Sequence, residues 1–271
     1  MLGSWKEAIT AINRGGVCLS FPDGRQSRSI VRAVSRPEEC PDADLTLVLV
    51  KAWQTETIAQ QLLRIPALHG PVITLQNGLG NREILSDYLG PNRVVLGVTT
   101  FGATLLSPGV ARYGGQGVIS LENQLGMQAI QAYFSSAGLS TEIVDDATSL
   151  VWGKLVVSAA INPLTALLQV QNGVLLERPS ARLLLRALAA ETAAVGIKMG
   201  AIFPFEDPVS AVEAVTRRTS TNFSSMLQDV RRGAPTEIDA ISGAIVRLGH
   251  TFGLPVMLNQ NMWQLVSALR S

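Results

Sequence analysis

The sequence predicts an α/β sheet domain over residues 1–146, followed by an all-α domain over residues 147–271. Two observations predict this division. In the first part, short aliphatic runs of strand length alternate with helical patterns, which is the spacing of βαβ units in a parallel sheet. From about Ala147 onward the strand patterns stop and long helical stretches follow. A chain of 271 residues with 47% hydrophobic content is long enough for two buried cores.

Each element of the first domain is bounded by its own sequence signal. Gly15-Gly16 ends a helix, Pro22-Asp-Gly24 is a turn between two strands, and continuous aliphatic runs indicate strands that are buried on both faces. In chain order, the predicted elements are a helix at 4–14, a strand at 17–21 with a hairpin partner at 29–34, a strand at 45–50, a helix at 54–64, a strand at 71–75, a helix at 81–88, a strand at 94–98 and further strands within 109–121. The second domain is predicted to contain helices at 148–168, 180–198, 207–216 and 236–252.

The composition argues against several classes of protein. The 22 basic and 21 acidic residues give a net charge of +1 without a basic run, so we expect no nucleic-acid partner. The longest apolar stretches are interrupted before about 20 residues, so we predict no membrane span. Cys18 and Cys40 form no CxxC pair and follow no secretory signal, so we expect a cytoplasmic protein without disulfides or a metal site.

One cation, Lys154, lies in the otherwise apolar helical run 150–168. Ser158 and Asn162 follow at i+4 and i+8, so the three side chains form a polar line along one helix face. Apolar surroundings disfavour the ammonium form and lower the pKa of a lysine toward the range in which it gives up a proton. The pattern therefore indicates the wall of a site. In the alternative interpretation, Lys154 extends to water while Ser158 and Asn162 bind backbone carbonyls, and this stretch alone supports both equally.

Polar segments also follow two buried strands of the first domain. Lys51 comes directly after the strand at 45–50, and Asn77-Gly78 comes shortly after the strand at 71–75. In open parallel sheets, ligands bind beyond the carboxyl ends of the strands, and an asparagine there offers both a donor and an acceptor. An Asn-Gly pair is also a common turn, so this dipeptide is weak evidence by itself.

A third polar cluster lies nearer the C-terminus. Ser224 and Ser225 offer hydroxyl donors to a carboxylate. Glu237 and Asp239 fall in the first turn of the helix predicted at 236–252, where the helix dipole favours negative charge. Capping is therefore a complete explanation for either acid, and we favour it over catalysis on this pattern alone.

Taken together, these segments resemble the ketopantoate reductase family, also called 2-dehydropantoate 2-reductases, over most of the chain. The motifs that carry the resemblance are Lys51-Ala52 with Gln54, Leu75-Gln-Asn-Gly-Leu-Gly-Asn81, Gly97-Val-Thr-Thr-Phe-Gly-Ala103, Trp152-Gly-Lys-Leu155, Asn162-Pro-Leu-Thr165, Asn172-Gly173, Ser224-Ser-Met-Leu-Gln-Asp229 and Thr236-Glu-Ile-Asp239. The resemblance implies a Rossmann-like nucleotide-binding domain and a helical domain, with the active site in the cleft between them. It also implies NADPH-dependent reduction of 2-dehydropantoate to (R)-pantoate in the pantothenate route to coenzyme A.

The resemblance further implies roles for individual residues. Lys154 matches the family's general acid, which protonates the alkoxide that hydride transfer creates. The residues that match cofactor-contacting positions are Lys51, Asn77, Ala103 and Glu237, and the Lys51 ammonium would offset phosphate charge. Those that match substrate-contacting positions are Asn77, Lys154, Ser158, Asn162, Asn172 and Ser225, with the neighbouring Met226, Leu227 and Gln228. As partners we expect a small 2-keto acid substrate and a second copy of the chain, with the dimer formed through the helical domain if the chain is a non-catalytic relic.

The chain departs from the family pattern at two places. The family commonly has asparagine where this chain has Ser158, so substrate affinity or selectivity could differ. The family also opens with a strand, a GxGxxG turn, a helix and a second strand, and this sequence resembles the family only from after that second strand. The resemblance therefore implies that about 25 to 30 residues are missing, which is the length of the opening portion of a dinucleotide-binding unit. A start site assigned too far downstream and a natural shortened homologue are the two explanations, and we favour the first.

The shortened pattern leaves three functions open. The chain is expected to be an impaired ketopantoate reductase, a reductase of another branched 2-keto acid, or a non-catalytic binding module that retains the helical domain. Without the GxGxxG turn, the cofactor lacks its main phosphate contacts at a helix N-terminus. The strand at 45–50 is likewise expected to lack a neighbour on one side and to leave apolar side chains uncovered.

These expectations predict weak NADPH binding by the chain as given. In a fluorescence titration, this chain is expected to bind NADPH more weakly than a chain extended upstream in frame, because the extension would supply the phosphate-binding turn. Equal affinity of the two chains would contradict this account of the N-terminal region.

Overall fold

The computed structural model describes residues 1–269, which divide into two compact units. The first unit comprises Met1–Val48, Glu56–Leu75 and Glu83–Asp145, and it contains all nine strands of the described residues. The second unit comprises Leu49–Thr55, Gln76–Arg82 and the chain from Asp146 onward. The predicted α/β part followed by an all-α part is confirmed. The boundary between residues 146 and 147 stays a prediction, and two short segments of the N-terminal half belong to the helical unit.

The first unit contains two sheets. Its helices are α1 Lys6–Gly15, α2 Thr55–Leu62, α3 Asn81–Leu89 and α4 Met127–Ser136, of which α2 and α3 begin within the segments assigned to the second unit. Its strands are β1 Val17–Ser20, β2 Gln26–Ser29, β3 Thr46–Val48, β4 Val72–Thr74, β5 Val94–Thr99, β6 Ala103–Ser107, β7 Val110–Tyr113, β8 Ile119–Glu122 and β9 Thr141–Val144. One sheet has the order β2-β1-β7-β6 and the other has the order β3-β4-β5-β8-β9.

The five-stranded sheet is mixed rather than wholly parallel. Strands β3, β4 and β5 pair in parallel, β8 pairs antiparallel with β5, and β9 is parallel to β8. Its core side chains are Ile73, Leu75, Val95, Ile119, Leu121, Met127 and Phe134. Strand β3 lies at one end of this sheet and exposes Leu47, which confirms the prediction that the strand within 45–50 has no neighbour on one side among the described residues.

The hairpin prediction needs a correction. The partner of β1 is β2, which comprises Gln26–Ser29, rather than the predicted segment 29–34. The backbone N–H of Phe21 donates to the carbonyl of Arg25 at 2.9 Å, so the chain reverses tightly and pairing begins as soon as the turn ends. Residues 30–34 follow the hairpin, and Val34 makes only an isolated bridge to Leu2.

The second unit contains helices and loops, and no strand lies among its described residues. Its helices are α5 Ala147–Leu168, α6 Val174–Glu177, α7 Pro179–Lys198, α8 Pro208–Arg218, α9 Ser225–Arg231, α10 Ala244–Thr251 and α11 Met257–Ala268, and a π-helical turn, Asp239–Gly243, precedes α10. The predictions at 148–168, 180–198 and 207–216 match α5, α7 and α8. The helix predicted at 236–252 begins instead at Asp239, and α6, α9 and α11 were not predicted.

Helix α5 is the central helix of this unit. It packs against α6, α7, α8, α9 and α11, and its apolar side chains contribute to both hydrophobic clusters of the unit. The Asp146 carboxylate caps its first turn by accepting from the Ser149 N–H at 2.9 Å. By length and composition alone, α5 is the one helix among residues 1–269 that could cross a membrane, with a mean hydropathy of 1.4. However, 61% of that apolar window is buried inside the fold, as in the core helix of a globular protein.

The loop after β4 is fixed to the π-helical turn through a glycine. Gly78 has φ +83°, and a Cβ there would lie 2.6 Å from the carbonyl oxygen of Ala240. The next residue, Leu79, donates its N–H to that same carbonyl at 2.9 Å. Gly78 is therefore required both for its backbone conformation and for the close approach of Ala240.

Two glycines of this loop provide a matched test. Gly80 also has positive φ, +89°, but a Cβ there would meet nothing within 4 Å. Gly80→Ala is expected to cost about 1 kcal/mol of backbone strain. Gly78→Ala is expected to cost about 1–3 kcal/mol more, because it adds a steric overlap to the same strain. Urea unfolding followed by circular dichroism measures both changes, and equal destabilisation would contradict the proposed contact with Ala240.

Candidate active site

Two short segments of the N-terminal half hold each other in place within the second unit. Gln76 Nε2 donates to the Val50 carbonyl at 2.9 Å and to Thr55 Oγ1 at 2.8 Å. Thr55 Oγ1 lies 2.7 Å from Asn81 Oδ1, and Asn81 Nδ2 donates to the Asn77 carbonyl at 3.0 Å. Thr55 and Asn81 are buried, so these bonds are shielded from water. They fix the segments that carry Lys51 and Asn77, and sequence reasoning had assigned no role to Thr55 or Asn81.

Glu237 is a buried carboxylate that both segments bind. Its Oε1 accepts from the Ala52 N–H at 3.1 Å, and its Oε2 accepts from Asn77 Nδ2 at 3.2 Å. Lys51 Nζ lies 3.6 Å from the same Oε2. Glu237 is only 5% exposed and precedes the π-helical turn, so the capping interpretation is wrong for this residue. Asp239, by contrast, begins that turn, and its side chain is largely exposed.

Lys51 has its strongest contact with a second buried acid. Its Nζ lies 2.6 Å from Asp229 Oδ2, while Asp229 Oδ1 accepts from Arg232 at 2.8 Å. Asp229 is 1% exposed and Lys51 is half-buried. The Lys51 charge is thus matched by acids of this chain, and its predicted contact with a cofactor phosphate stays a prediction. Asp229 was part of a motif in the sequence, but nothing there indicated Lys51 as its partner.

Lys154 lies on α5 with its side chain largely within the fold. Burial disfavours its charged form and lowers its pKa from 10.5 to about 8, while the negative charge of Glu237 acts in the opposite direction. At neutral pH the side chain is therefore still mostly an ammonium, but one that releases its proton far more readily than an exposed lysine. The structure thus brings Glu237, Asn77 and Lys51 into one charged and hydrogen-bonded group within the second unit, and the charge of Glu237 acts on Lys154.

The remaining polar positions of α5 extend toward α9. Ser158 and Asn162 are half-buried on the same helix as Lys154. Farther along, Thr165 Oγ1 lies 2.7 Å from Ser224 Oγ, which caps α9 by accepting from the Leu227 N–H at 3.1 Å. The cap of α9 is therefore Ser224, a residue that the structure buries, and it fixes the start of α9 to α5.

The predicted substrate contacts on α9 differ in exposure. Ser225 is the first residue of α9 and is exposed, whereas the side chains of Met226 and Leu227 are buried in the core. Gln228 Nε2 donates to the Phe223 carbonyl at 2.9 Å. Ser225 can present its hydroxyl to a ligand, while Met226 and Leu227 can offer only backbone groups. All four roles stay predictions.

Asn172 connects two loops of the helical unit. Its backbone N–H donates to the Asn222 carbonyl at 3.0 Å, and its Nδ2 donates to Thr219 Oγ1 at 2.9 Å. Its Oδ1 is buried without a hydrogen-bond partner in the described structure. These contacts support a structural role, and the predicted substrate contact of Asn172 is untested. Ala103, the remaining predicted cofactor contact, begins β6 in the first unit and is exposed.

The fold and the site define a class of protein before any comparison. A sheet unit followed by a helical unit, with a lysine of lowered pKa that feels the charge of a buried carboxylate, fits an enzyme whose reaction includes a proton transfer. Family models agree over nearly the whole chain: residues 1–125 match "Ketopantoate reductase PanE/ApbA" and residues 146–270 match its C-terminal model. The chain belongs to the ketopantoate reductase family, whose members use a nicotinamide cofactor.

Individual relatives support the same assignment. The chain is 41% identical to the 2-dehydropantoate 2-reductase of Archaeoglobus fulgidus, over 89% of this chain and 80% of that relative. It is 33% identical to the enzyme of the same name from Halobacterium salinarum, over 95% of this chain and 86% of that relative. Among solved structures, a family member from Ralstonia eutropha has a TM-score of 0.92 at 29% identity and covers 98% of this chain and 88% of its own.

The lowered pKa of Lys154 predicts a pH-dependent cost in stability. Because the folded-state pKa lies below the unfolded value, the unfolded chain binds more protons between about pH 8 and 10.5, and stability rises with pH through this window. Lys154→Met is therefore expected to be about 1–3 kcal/mol more stable than the wild type at pH 7, with the difference shrinking as pH approaches 10.5.

Thermal and urea unfolding at several pH values measure this difference. Lys198→Met is the matched control, because Lys198 is exposed at the end of α7. A pH-independent difference between the wild type and Lys154→Met would show that burial does not hold the pKa of Lys154 near 8.

Proposed function

We propose that this protein catalyses the NADPH-dependent reduction of 2-dehydropantoate to (R)-pantoate, in the pantothenate route to coenzyme A. The observation that carries the proposal is the environment of Lys154. Burial lowers the pKa of its ammonium to about 8, so the ammonium can donate a proton, and the negative charge of Glu237 opposes this lowering. The named relatives are 2-dehydropantoate 2-reductases, which supports the same reaction for this chain.

The residues present fit a hydride-transfer reaction. A hydride for the ketone carbon would come from NADPH when it is bound, and the carbonyl oxygen would then gain negative charge. The Lys154 ammonium donates its proton to that oxygen, so the product leaves as an alcohol and the lysine is left neutral. Glu237 favours the protonated form of Lys154 and thereby keeps the acid loaded between turnovers. Asn77, fixed against Glu237, would contact both the nicotinamide ribose and the substrate.

The polar line on α5 would orient the substrate. Ser158 and Asn162 lie one and two turns beyond Lys154, and Ser225 is exposed at the start of α9. Hydroxyl and amide groups of this kind bind a substrate carboxylate and hydroxyl without adding charge that would compete with Lys154. Lys51, Ala103 and Glu237 are proposed to contact the cofactor. Ser158 is the position at which selectivity among branched 2-keto acids would be set.

Steady-state kinetics with NADPH and a panel of branched 2-keto acids test the function. We expect 2-dehydropantoate to give the highest kcat/KM, and we expect rates to fall as pH rises through about 8 and the Lys154 ammonium loses its proton. A different preferred keto acid would indicate a reductase of the same fold with another substrate. NADPH binding without turnover of any keto acid would favour the binding-module alternative.

Lys154→Ala is expected to lower kcat by roughly 10²–10⁴-fold, because it removes proton donation in the transition state. NADPH affinity, measured by fluorescence titration, is expected to remain nearly unchanged. Lys198→Ala serves as the control, since this lysine is exposed and lies outside the site. An unchanged kcat in Lys154→Ala would remove this lysine from the mechanism.

A further inference from the structure

We infer that Asp229 is a positioning residue for Lys154: by holding the Lys51 ammonium, it leaves the charge of Glu237 available to the catalytic lysine. Asp229 has no part in the reaction proposed above, and its effect passes through two other side chains. The catalytic consequence of this inference rests on the proposed function, but the electrostatic consequence does not.

The geometry places one cation between two buried acids. Lys51 Nζ is 2.6 Å from Asp229 Oδ2 and 3.6 Å from Glu237 Oε2. Both carboxylates are at least 95% buried, so their charges are poorly screened by solvent. Because Coulomb attraction weakens with distance, Lys51 compensates Asp229 more than it compensates Glu237.

Asp229 is suited to hold Lys51 because both of its oxygens are engaged. Oδ2 accepts from Lys51 and Oδ1 accepts from Arg232 at 2.8 Å. Arg232, the C-cap residue of α9, follows Asp229 at i+3, so a second cation remains beside the carboxylate if Lys51 is lost. Asp229 therefore acts as a fixed negative charge whose position is set by α9.

The two members of this ion pair should affect Lys154 in opposite directions. If Asp229 is neutralised, Glu237 is the carboxylate that remains near Lys51, so Lys51 compensates it more fully and the Lys154 ammonium loses support. If Lys51 is neutralised, the whole charge of Glu237 acts on Lys154, and its ammonium gains support. A role limited to packing would not produce shifts of opposite sign.

Several other charged side chains on elements that pack against α5 have partners of their own, and Lys198 and Arg218, at the ends of α7 and α8, are exposed. These pairs are Glu191 with Leu258 and Asn259, Glu213 with Arg182, Arg231 with Gln169, and Asp239 with Arg247. Glu237 is the acid whose charge acts on Lys154, and the Asp229–Lys51 pair lies beside that acid.

Nuclear magnetic resonance of selectively labelled lysine tests the inference without substrate or cofactor. The chain has four lysines, at positions 6, 51, 154 and 198, so ¹³Cε-lysine labelling gives few signals, each assignable by substitution. A pH titration of the Lys154 signal reports its pKa directly. The variants are Asp229→Asn, Lys51→Met, the double variant, and Asp239→Asn as a control with an exposed carboxylate.

The expected result is a shift of opposite sign in the two single variants. The pKa of Lys154 should fall by roughly half a unit or more in Asp229→Asn and rise by a similar amount in Lys51→Met. The double variant should return toward the wild-type value, and Asp239→Asn should match the wild type. Unchanged pKa values in both single variants, or shifts of the same sign, would overturn the inference. If Asp229→Asn does not fold, Asp229→Ser takes its place, because it removes the same charge with a smaller side chain.

Reductase assays on the same variants separate this inference from the proposed function. If the inference and the proposed function are both correct, the fall of kcat at high pH moves to lower pH in Asp229→Asn and to higher pH in Lys51→Met. Opposite pKa shifts without turnover of any keto acid would support the inference and contradict the function. Turnover of a keto acid together with an unchanged Lys154 pKa in the variants would support the function and contradict the inference.

Discussion

The site depends on one buried carboxylate, that of Glu237. Burying a charge is unfavourable unless hydrogen bonds and opposite charges compensate it, and Glu237 has the Ala52 N–H, the Asn77 amide and the nearby Lys51 ammonium. Those partners come from two short segments that are far from Glu237 in sequence. The acid therefore holds the segments in place and gives the lysine on α5 a negative charge to oppose its burial.

This requirement accounts for several features of the surrounding backbone. The loop that carries Asn77 must approach the π-helical turn closely, and Gly78 permits that approach to Ala240. The hydrogen bonds among Gln76, Thr55 and Asn81 fix the two segments to each other in addition to their contacts with Glu237. An insertion such as the π-helical turn after Glu237 is frequent near functional sites, where it changes the direction of neighbouring side chains.

Much of the fold followed from sequence patterns, but the partners within the site did not. The long helix at 147–168 and its solitary lysine were evident, since an apolar run with one cation is unusual whatever its neighbours. Strands β6 and β9 were missed because neither has a continuous aliphatic run of strand length or a sustained alternating pattern. The pairing of Lys51 with Asp229 joins residues 178 positions apart, and Glu237 had a sufficient local explanation as a helix cap. Long-range pairing of this kind has no local signature, so only the folded structure distinguishes a site acid from a cap.

The value of about 8 for the Lys154 pKa is a compromise between two opposing requirements. A fully exposed lysine would hold its proton too firmly to be an efficient acid near neutral pH, and a fully buried one without a counter-charge would not hold a proton at all. Burial on α5 lowers the pKa of Lys154, and the charge of Glu237 limits that lowering. Lys51 also lies near Glu237, so the position of the Lys51 ammonium determines how strongly Glu237 raises the pKa of Lys154. Asp229 holds that ammonium and therefore affects the same pKa, although it lies on another helix.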